Sequence, residues 1–147
     1  MNMKRNILFM LLLLCAAGMN AQLSTILGNW QTVDDQTGEV RAVVSIYQGP
    51  DGLFYGKIKK MLMYGSDLRC EACKGDDHDA PIVGLVIIRG MKYDKENNRL
   101  YGGKVLDPES GKFYYGKIYP QDGNLVLRGS LDKHGLFGRN QTWTRAR

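Results

Sequence analysis

Turn signals recur at short intervals along this chain, and their cadence limits the fold more than any other feature. They read Asp34-Asp35-Gln36-Thr37-Gly38, Gly49-Pro50-Asp51-Gly52, Asp94 to Asn98, Asp107-Pro108-Glu109-Ser110-Gly111 and Gln121-Asp122-Gly123-Asn124. Each places Gly, Pro, Asn or Asp in the order that β-turns use. Between them lie stretches rich in Val, Ile, Tyr and Phe, with no sustained helical period. Eight strands are predicted, at about 27–33, 40–48, 53–63, 84–92, 99–106, 112–119, 124–131 and 137–145. Short strands joined mostly by tight hairpins predict an all-β fold: a single eight-stranded antiparallel up-and-down barrel, which removes sheet edges by closing on itself.

A short internal echo fits that reading. Tyr55-Gly56-Lys57-Ile58 recurs as Tyr115-Gly116-Lys117-Ile118, with Gly103-Lys104-Val105 as a looser copy. Glycine normally weakens a strand, so its repeated placement predicts bends where a barrel wall must curve. The one long link, 64–83, is of a length that is often functional or pinned by a cross-link.

Alternation assigns the faces. Val40, Ala42, Val44 and Ile46 fall on one side, opposite Arg41 and Ser45, and Phe54, Ile58 and Leu62 fall together opposite Lys57 and Lys59. Charges on the outward faces count against a membrane-spanning barrel, whose outer wall must be apolar. In the last strand Phe137, Arg139, Gln141, Trp143 and Arg145 share a face. If Trp143 points inward, Arg139 and Gln141 point in with it, which suits a ligand cavity better than a filled core. The alternative is a bulge or an end-of-barrel position that returns them to water.

The N-terminus reads as an export signal: basic Lys4-Arg5, the apolar run Ile7 to Ala17, then Gly18-Met19-Asn20-Ala21 before Gln22. That run is shorter than the ~18–20 residues a spanning helix needs. The expected organisation is a signal peptide over 1–21 and one barrel domain over 22–147, periplasmic or secreted. Cleavage after Ala21 leaves 126 of 147 residues, enough for a core. It also leaves 18 basic against 15 acidic residues, a net charge near +3, too weak to argue for nucleic acid.

Of three cysteines only Cys70 and Cys73 remain, in Cys70-Glu71-Ala72-Cys73-Lys74-Gly75-Asp76-Asp77-His78-Asp79-Ala80-Pro81. A zinc site usually draws on two separated pairs, and here there is one pair, one nearby His and acidic residues. A redox thiolate is opposed by Glu71, Asp76, Asp77 and Asp79, and no βαβ context is present. A structural disulfide is favoured over both in an oxidising compartment, stabilising by only about 2 kcal/mol because its loop is short. No metal or cofactor is expected.

Catalysis finds little support. The serines stand in no nucleophile-elbow context, and His78 and His134 occupy loop-like segments. Asp107-Pro108 and Asp122-Gly123 read as turn carboxylates. Aromatics interleaved with Lys in "FYGKIKK" and "FYYGKIYP" read as strand packing with Lys outward rather than as a nucleic-acid platform. The protein is not expected to be an enzyme.

Gly28-Asn29-Trp30 near the start and Gln141-Thr142-Trp143-Thr144-Arg145 at the end together resemble the lipocalin-like barrels, in which a Trp plugs one barrel end beneath a C-terminal Arg. The ordered set Gly28-Asn29-Trp30, Gly56-Lys57-Ile58, Cys70 to Gly75, Pro81-Ile82-Val83-Gly84, Leu106-Asp107-Pro108, Gly111-Lys112, Leu127-Arg128-Gly129 and Leu136-Phe137-Gly138-Arg139, ending at Trp143-Thr144-Arg145, resembles the exported bacterial barrels grouped as domain-of-unknown-function family 2147 (DUF2147). That resemblance implies a lipocalin-like β-barrel in the envelope or secreted, and supplies no reaction. The expected function is a binding module for a small apolar or amphipathic ligand, with Arg128, Arg139, Gln141, Trp143 and Trp30 as binding residues and Arg139 or Arg128 meeting an acidic head group. The alternatives are an envelope protein-interaction module using the 64–83 loop and a metal or redox protein centred on Cys70 and Cys73.

Overall fold

The computed structural model describes residues 21–147, so the expected signal peptide lies, apart from Ala21, outside the described residues. Eight strands follow in order: β1 (Gly28–Val33), β2 (Val40–Gln48), β3 (Phe54–Met61), β4 (Val86–Asp94), β5 (Arg99–Asp107), β6 (Lys112–Gln121), β7 (Asn124–Ser130) and β8 (Gly138–Arg145). Each pairs antiparallel with the next. β8 returns to β1 through Trp30 opposite Arg145 and Gln31 opposite Thr144, which closes the barrel. Among the described residues no helix is long and apolar enough to cross a membrane.

The turns form for the reasons their residues suggest. The Asp34 carboxylate accepts from the backbone N–H of Gln36 and Thr37, both at 2.9 Å. Asp107 does the same for Glu109 at 3.1 Å and holds Ser110 Oγ at 2.6 Å. Alternation then places Ala42, Val44 and Ile46 of β2, with Phe54 and Ile58 of β3, in the buried core. Leu62, expected on that face, lies past the end of β3 and is exposed.

One end of the barrel is plugged. Trp30 is buried, its indole N–H donates to the Ile26 carbonyl at 2.7 Å, and the Arg145 guanidinium stacks over its ring at 3.9 Å. Arg145 also donates to the Leu27 carbonyl at 2.7 Å, tying the turn before β1 to the last strand. Trp143, Leu125, Leu100 and Ile118 complete this end, all buried.

The interior above the plug is filled too. A Cβ on Gly116 would lie 2.2 Å from Met91 Cε, and one on Gly103 2.8 Å from Met91 Sδ. One on Gly56 would lie 2.7 Å from Ile88 Cδ1. Gly56 and Gly116 thus leave the room that Ile88 and Met91 occupy, and Gly103 lets the Arg89 carbonyl approach, 2.4 Å from where a Cβ would stand. Gly56 and Gly103 also sit at or beside register shifts, Phe54/Gly56 in β3 and Tyr101/Gly103 in β5, where the wall bends.

Candidate functional site

The other end is different in kind. β8 runs from rim to plug, and its inward face grades from an exposed Arg139 through a half-buried Gln141 to the buried Trp143. Beside it Leu125 is fully buried and Leu127 retains 7 % exposure, while in β2 Val44 is fully buried and Ala42 retains 5 %. Apolar residues therefore form a floor, with Tyr114 of β6 half-buried against Gly129 as part of the wall.

Above this floor stands a network of charges. Arg41 pairs with Asp34 at 2.6 Å and with Glu109 at 2.5 Å. Arg41 belongs to β2 and Glu109 to the β5–β6 turn, three strands further round the barrel, so this contact joins separate parts of the rim. Arg139 pairs with Asp35, next to Asp34, at 2.7 Å. Burial works against the Arg41 charge, but Asp34 and Glu109 more than offset it and hold its pKa above the ordinary arginine value. The Arg139 pKa is likewise raised, chiefly by its hydrogen bond to Asp35. Arg41 Nε is buried with no hydrogen-bond partner, the cost of drawing this side chain over the rim.

The expected site residues divide. Arg139 and Gln141 share the inward face with Trp143, as alternation predicts, but Arg139 is at the rim, with 65 % of its side chain exposed and its charge on Asp35. Gln141 accepts the Trp143 indole N–H at 3.1 Å, and Trp30 and Trp143 are packing groups of the plug. Arg128 departs from the inward role expected of it. It alternates against Leu127 and turns to the outer wall, where it donates to the Gly135 carbonyl at 2.8 Å and to Asn140 Oδ1 at 2.9 Å. Arg41 is the residue that sequence reasoning missed. Alternation assigned it outward, but the register shift between Thr32 and Val33 leaves it as the extra residue of a bulge.

The 64–83 segment leaves the rim at the end of β3 and is stapled against the β5–β6 turn and the wall of β4. Cys70 and Cys73 form a disulfide and are both buried, so their sulfurs are joined to each other within the core. The Cys70 N–H donates to the Ala80 carbonyl at 2.8 Å, and the Asp79 N–H donates to the Cys70 carbonyl at 2.9 Å. His78 Nδ1 lies 3.0 Å from the Cys73 carbonyl. After the single 3₁₀ turn Gly75–Asp77, the Asp77 carboxylate takes two bonds from Arg89 of β4, at 2.9 and 3.0 Å. Ile87 and Leu106 face outward by alternation yet are buried, because this excursion lies against them. Its seat is the β5–β6 turn: Cys70 Sγ is 3.4 Å from the Pro108 carbonyl oxygen. Among the described residues no group of three His, Cys, Asp or Glu comes together as a metal site.

Acid should loosen the turns before the strands. The Asp34 carboxyl is held below its ordinary 3.8, mainly by the Thr37 and Gln36 N–H groups. Asp132, in the β7–β8 loop, is held below 3.8 mainly by Phe137 and Leu136. A carboxyl lowered in the folded state stabilises it above the unfolded value, and that contribution is lost as pH falls through the folded one. Below about pH 3.8, the amides of Gln36, Thr37, Leu136 and Phe137 are therefore expected to exchange ahead of the strand amides. Equal protection of loops and strands would contradict the assignment.

A closed eight-stranded antiparallel barrel, plugged at one end by a Trp beneath an Arg, is a lipocalin-like fold. A family model described as "Uncharacterized protein conserved in bacteria (DUF2147)" matches residues 28–145, and the chain belongs to this family. The structure is similar to that of protein HP1028 from the human pathogen Helicobacter pylori, which is described as belonging to the lipocalin family. The TM-score is 0.72 at 21 % identity, over 83 % of each chain. The comparison with curated proteins returns no match.

Proposed function

We propose that this protein is an exported, non-catalytic binding module that takes a small amphipathic molecule at the open end of its barrel. The apolar part would rest on Ala42, Val105 and Leu127, and an acidic head group would replace Glu109 on Arg41 or Asp35 on Arg139. The observation that carries this reading is the rim itself. Two arginines, from opposite ends of the sequence, are held by the chain's own carboxylates at the open end, where the inward face of β8 grades down to the buried Trp143. A competing carboxylate keeps the charge-assisted bonds while covering apolar surface, which Glu109 and Asp35 do not. The lipocalin-like fold supports it as an architecture suited to ligands.

The filled interior makes the site shallow, so chain length beyond a few methylenes should add little affinity. Residue-resolved NMR during titration with dodecanoate is expected to shift Ala42, Val105, Leu127, Gln141 and the Arg41 and Arg139 side chains. Shifts confined to the outer wall, or none, would overturn the reading.

A second reading is an envelope protein-interaction module using the 64–83 loop. The observation favouring it is a cleft of about 450 Å³ between that loop and the β5–β6 turn, lined by Leu68, Arg69, Glu71 and Pro108 among others.

A further inference from the structure

The segment 131–137, Leu-Asp-Lys-His-Gly-Leu-Phe, joins β7 to β8 at the open end. It is tightly built. The Asp132 carboxylate accepts from three backbone N–H groups, those of His134 at 3.1 Å, Leu136 at 3.0 Å and Phe137 at 2.8 Å. The Leu131 N–H donates to the Phe137 carbonyl at 2.9 Å, and Ser130 Oγ donates to the Asp132 carbonyl at 2.8 Å. Arg128 closes the loop from the barrel wall through the Gly135 and Leu136 carbonyls.

Yet Leu131, Leu136 and Phe137 are 73 %, 73 % and 69 % exposed. Order and exposure together mean that the loop holds three large apolar side chains in water. On the far side of the rim Leu62, Met63 and Tyr64, just past β3, are exposed as well. The loop's surroundings are basic: Lys133 is exposed, Lys117 Nζ approaches Gly135, and Arg128 lies beneath. Asp132, the acid of the loop, is turned in on the backbone.

We propose that this rim docks on an anionic lipid surface, with Leu131, Leu136 and Phe137 entering the interfacial layer and Lys117 and Lys133 meeting the head groups. Two features select lipid over a protein groove. Five of the loop's backbone N–H groups, those of Leu131, His134, Gly135, Leu136 and Phe137, bond within the loop, and Arg128 takes the Gly135 and Leu136 carbonyls, which lowers the cost of entering a less polar layer. Large apolar side chains ringed by cations are also the pattern of interfacial anchors. The inference rests on this loop and the adjoining Lys117, independently of the ligand reading.

The test is flotation with vesicles of phosphatidylglycerol and phosphatidylethanolamine, against vesicles of phosphatidylcholine alone. The protein is used as the expression host delivers it. The wild type is expected to float with the anionic vesicles and not with the neutral ones. Leu136→Ser with Phe137→Ser should weaken partitioning about tenfold or more with an unchanged melting temperature, since both positions are exposed. Lys117→Gln with Lys133→Gln should weaken it at low salt and matter less at high salt. Absence of wild-type binding overturns the proposal, as does binding that survives Leu136→Ser with Phe137→Ser. So does a wild type whose self-association or capture of another protein, rather than flotation, is what the double variant abolishes.

Discussion

Trp30→Ala is expected to destabilise the barrel by about 3–5 kcal/mol, the range for deleting a large aromatic from a packed core. Three losses coincide at this position. The indole is buried, its N–H leaves the Ile26 carbonyl, and the Arg145 guanidinium loses the ring it covers. The last is a loss at the seam as well, because Trp30 and Arg145 are register partners where β1 meets β8. Urea denaturation should show the shift in midpoint, with Trp143 fluorescence as the reporter. A change below about 1 kcal/mol, as for a surface substitution, would mean that the plug does not hold the barrel closed.

Gly111→Val should cost about 2–5 kcal/mol, from a left-handed backbone that a β-branched residue adopts poorly and from overlap with a fixed neighbour. Gly111 has φ +71°, and a Cβ there would stand 2.0 Å from the Ala72 carbonyl oxygen. The neighbour is backbone between the two disulfide cysteines, so it cannot swing aside as a side chain would. The Cys70–Cys73 excursion must lift from the β5–β6 turn and uncover Ile87 and Leu106. Loss of the disulfide, at about 2 kcal/mol, should do less, since Arg89 and the Cys70–Ala80 bonds would still seat the loop. Limited proteolysis within 62–85, read alongside denaturation, separates the two effects. A Gly111→Val protein with wild-type stability and an equally protected loop would contradict the packing described.

Much of this architecture is legible in the sequence because its signals are local. A turn such as Asp34-Asp35-Gln36-Thr37-Gly38 carries its own hydrogen-bond acceptor, so the ends of β1 and β2 follow from residues a few positions apart. Trp30 and Trp143 stand out through the resemblance of Gly28-Asn29-Trp30 and the closing strand to lipocalin-like barrels, and both are buried. The disulfide is favoured because an export signal read into the first 21 residues implies an oxidising compartment, and Cys70 and Cys73 are indeed bonded.

What alternation cannot carry is position along the barrel axis. Arg139 does share a face with Trp143, but whether that face lies in the core or at the rim depends on where β8 begins, and it begins at Gly138. A bulge has no periodic signature, so Arg41 read as an outward residue although one extra residue turns it over the mouth. Its partner Glu109 is distant in sequence and becomes a neighbour only when the barrel closes. Ile87 and Leu106 mark the opposite limit: outward by period, they are buried because a separate segment covers them. Arg128 was legible, since it alternates against Leu125 and Leu127, and its outward position follows from that pattern.

The central claim is that the rim recognises an acidic head group through Arg41 and Arg139 above an apolar floor. Its most direct test is calorimetric comparison of dodecanoate with dodecanol, in the wild type and in Arg41→Ala with Arg139→Ala. The account predicts that the carboxylate binds the wild type about ten- to hundredfold more tightly than the alcohol, the scale of one or two charge-assisted hydrogen bonds. It predicts that the double variant removes this difference and leaves alcohol binding unchanged. Equal affinity of the wild type for the two, or a preference that outlives both arginines, would contradict it.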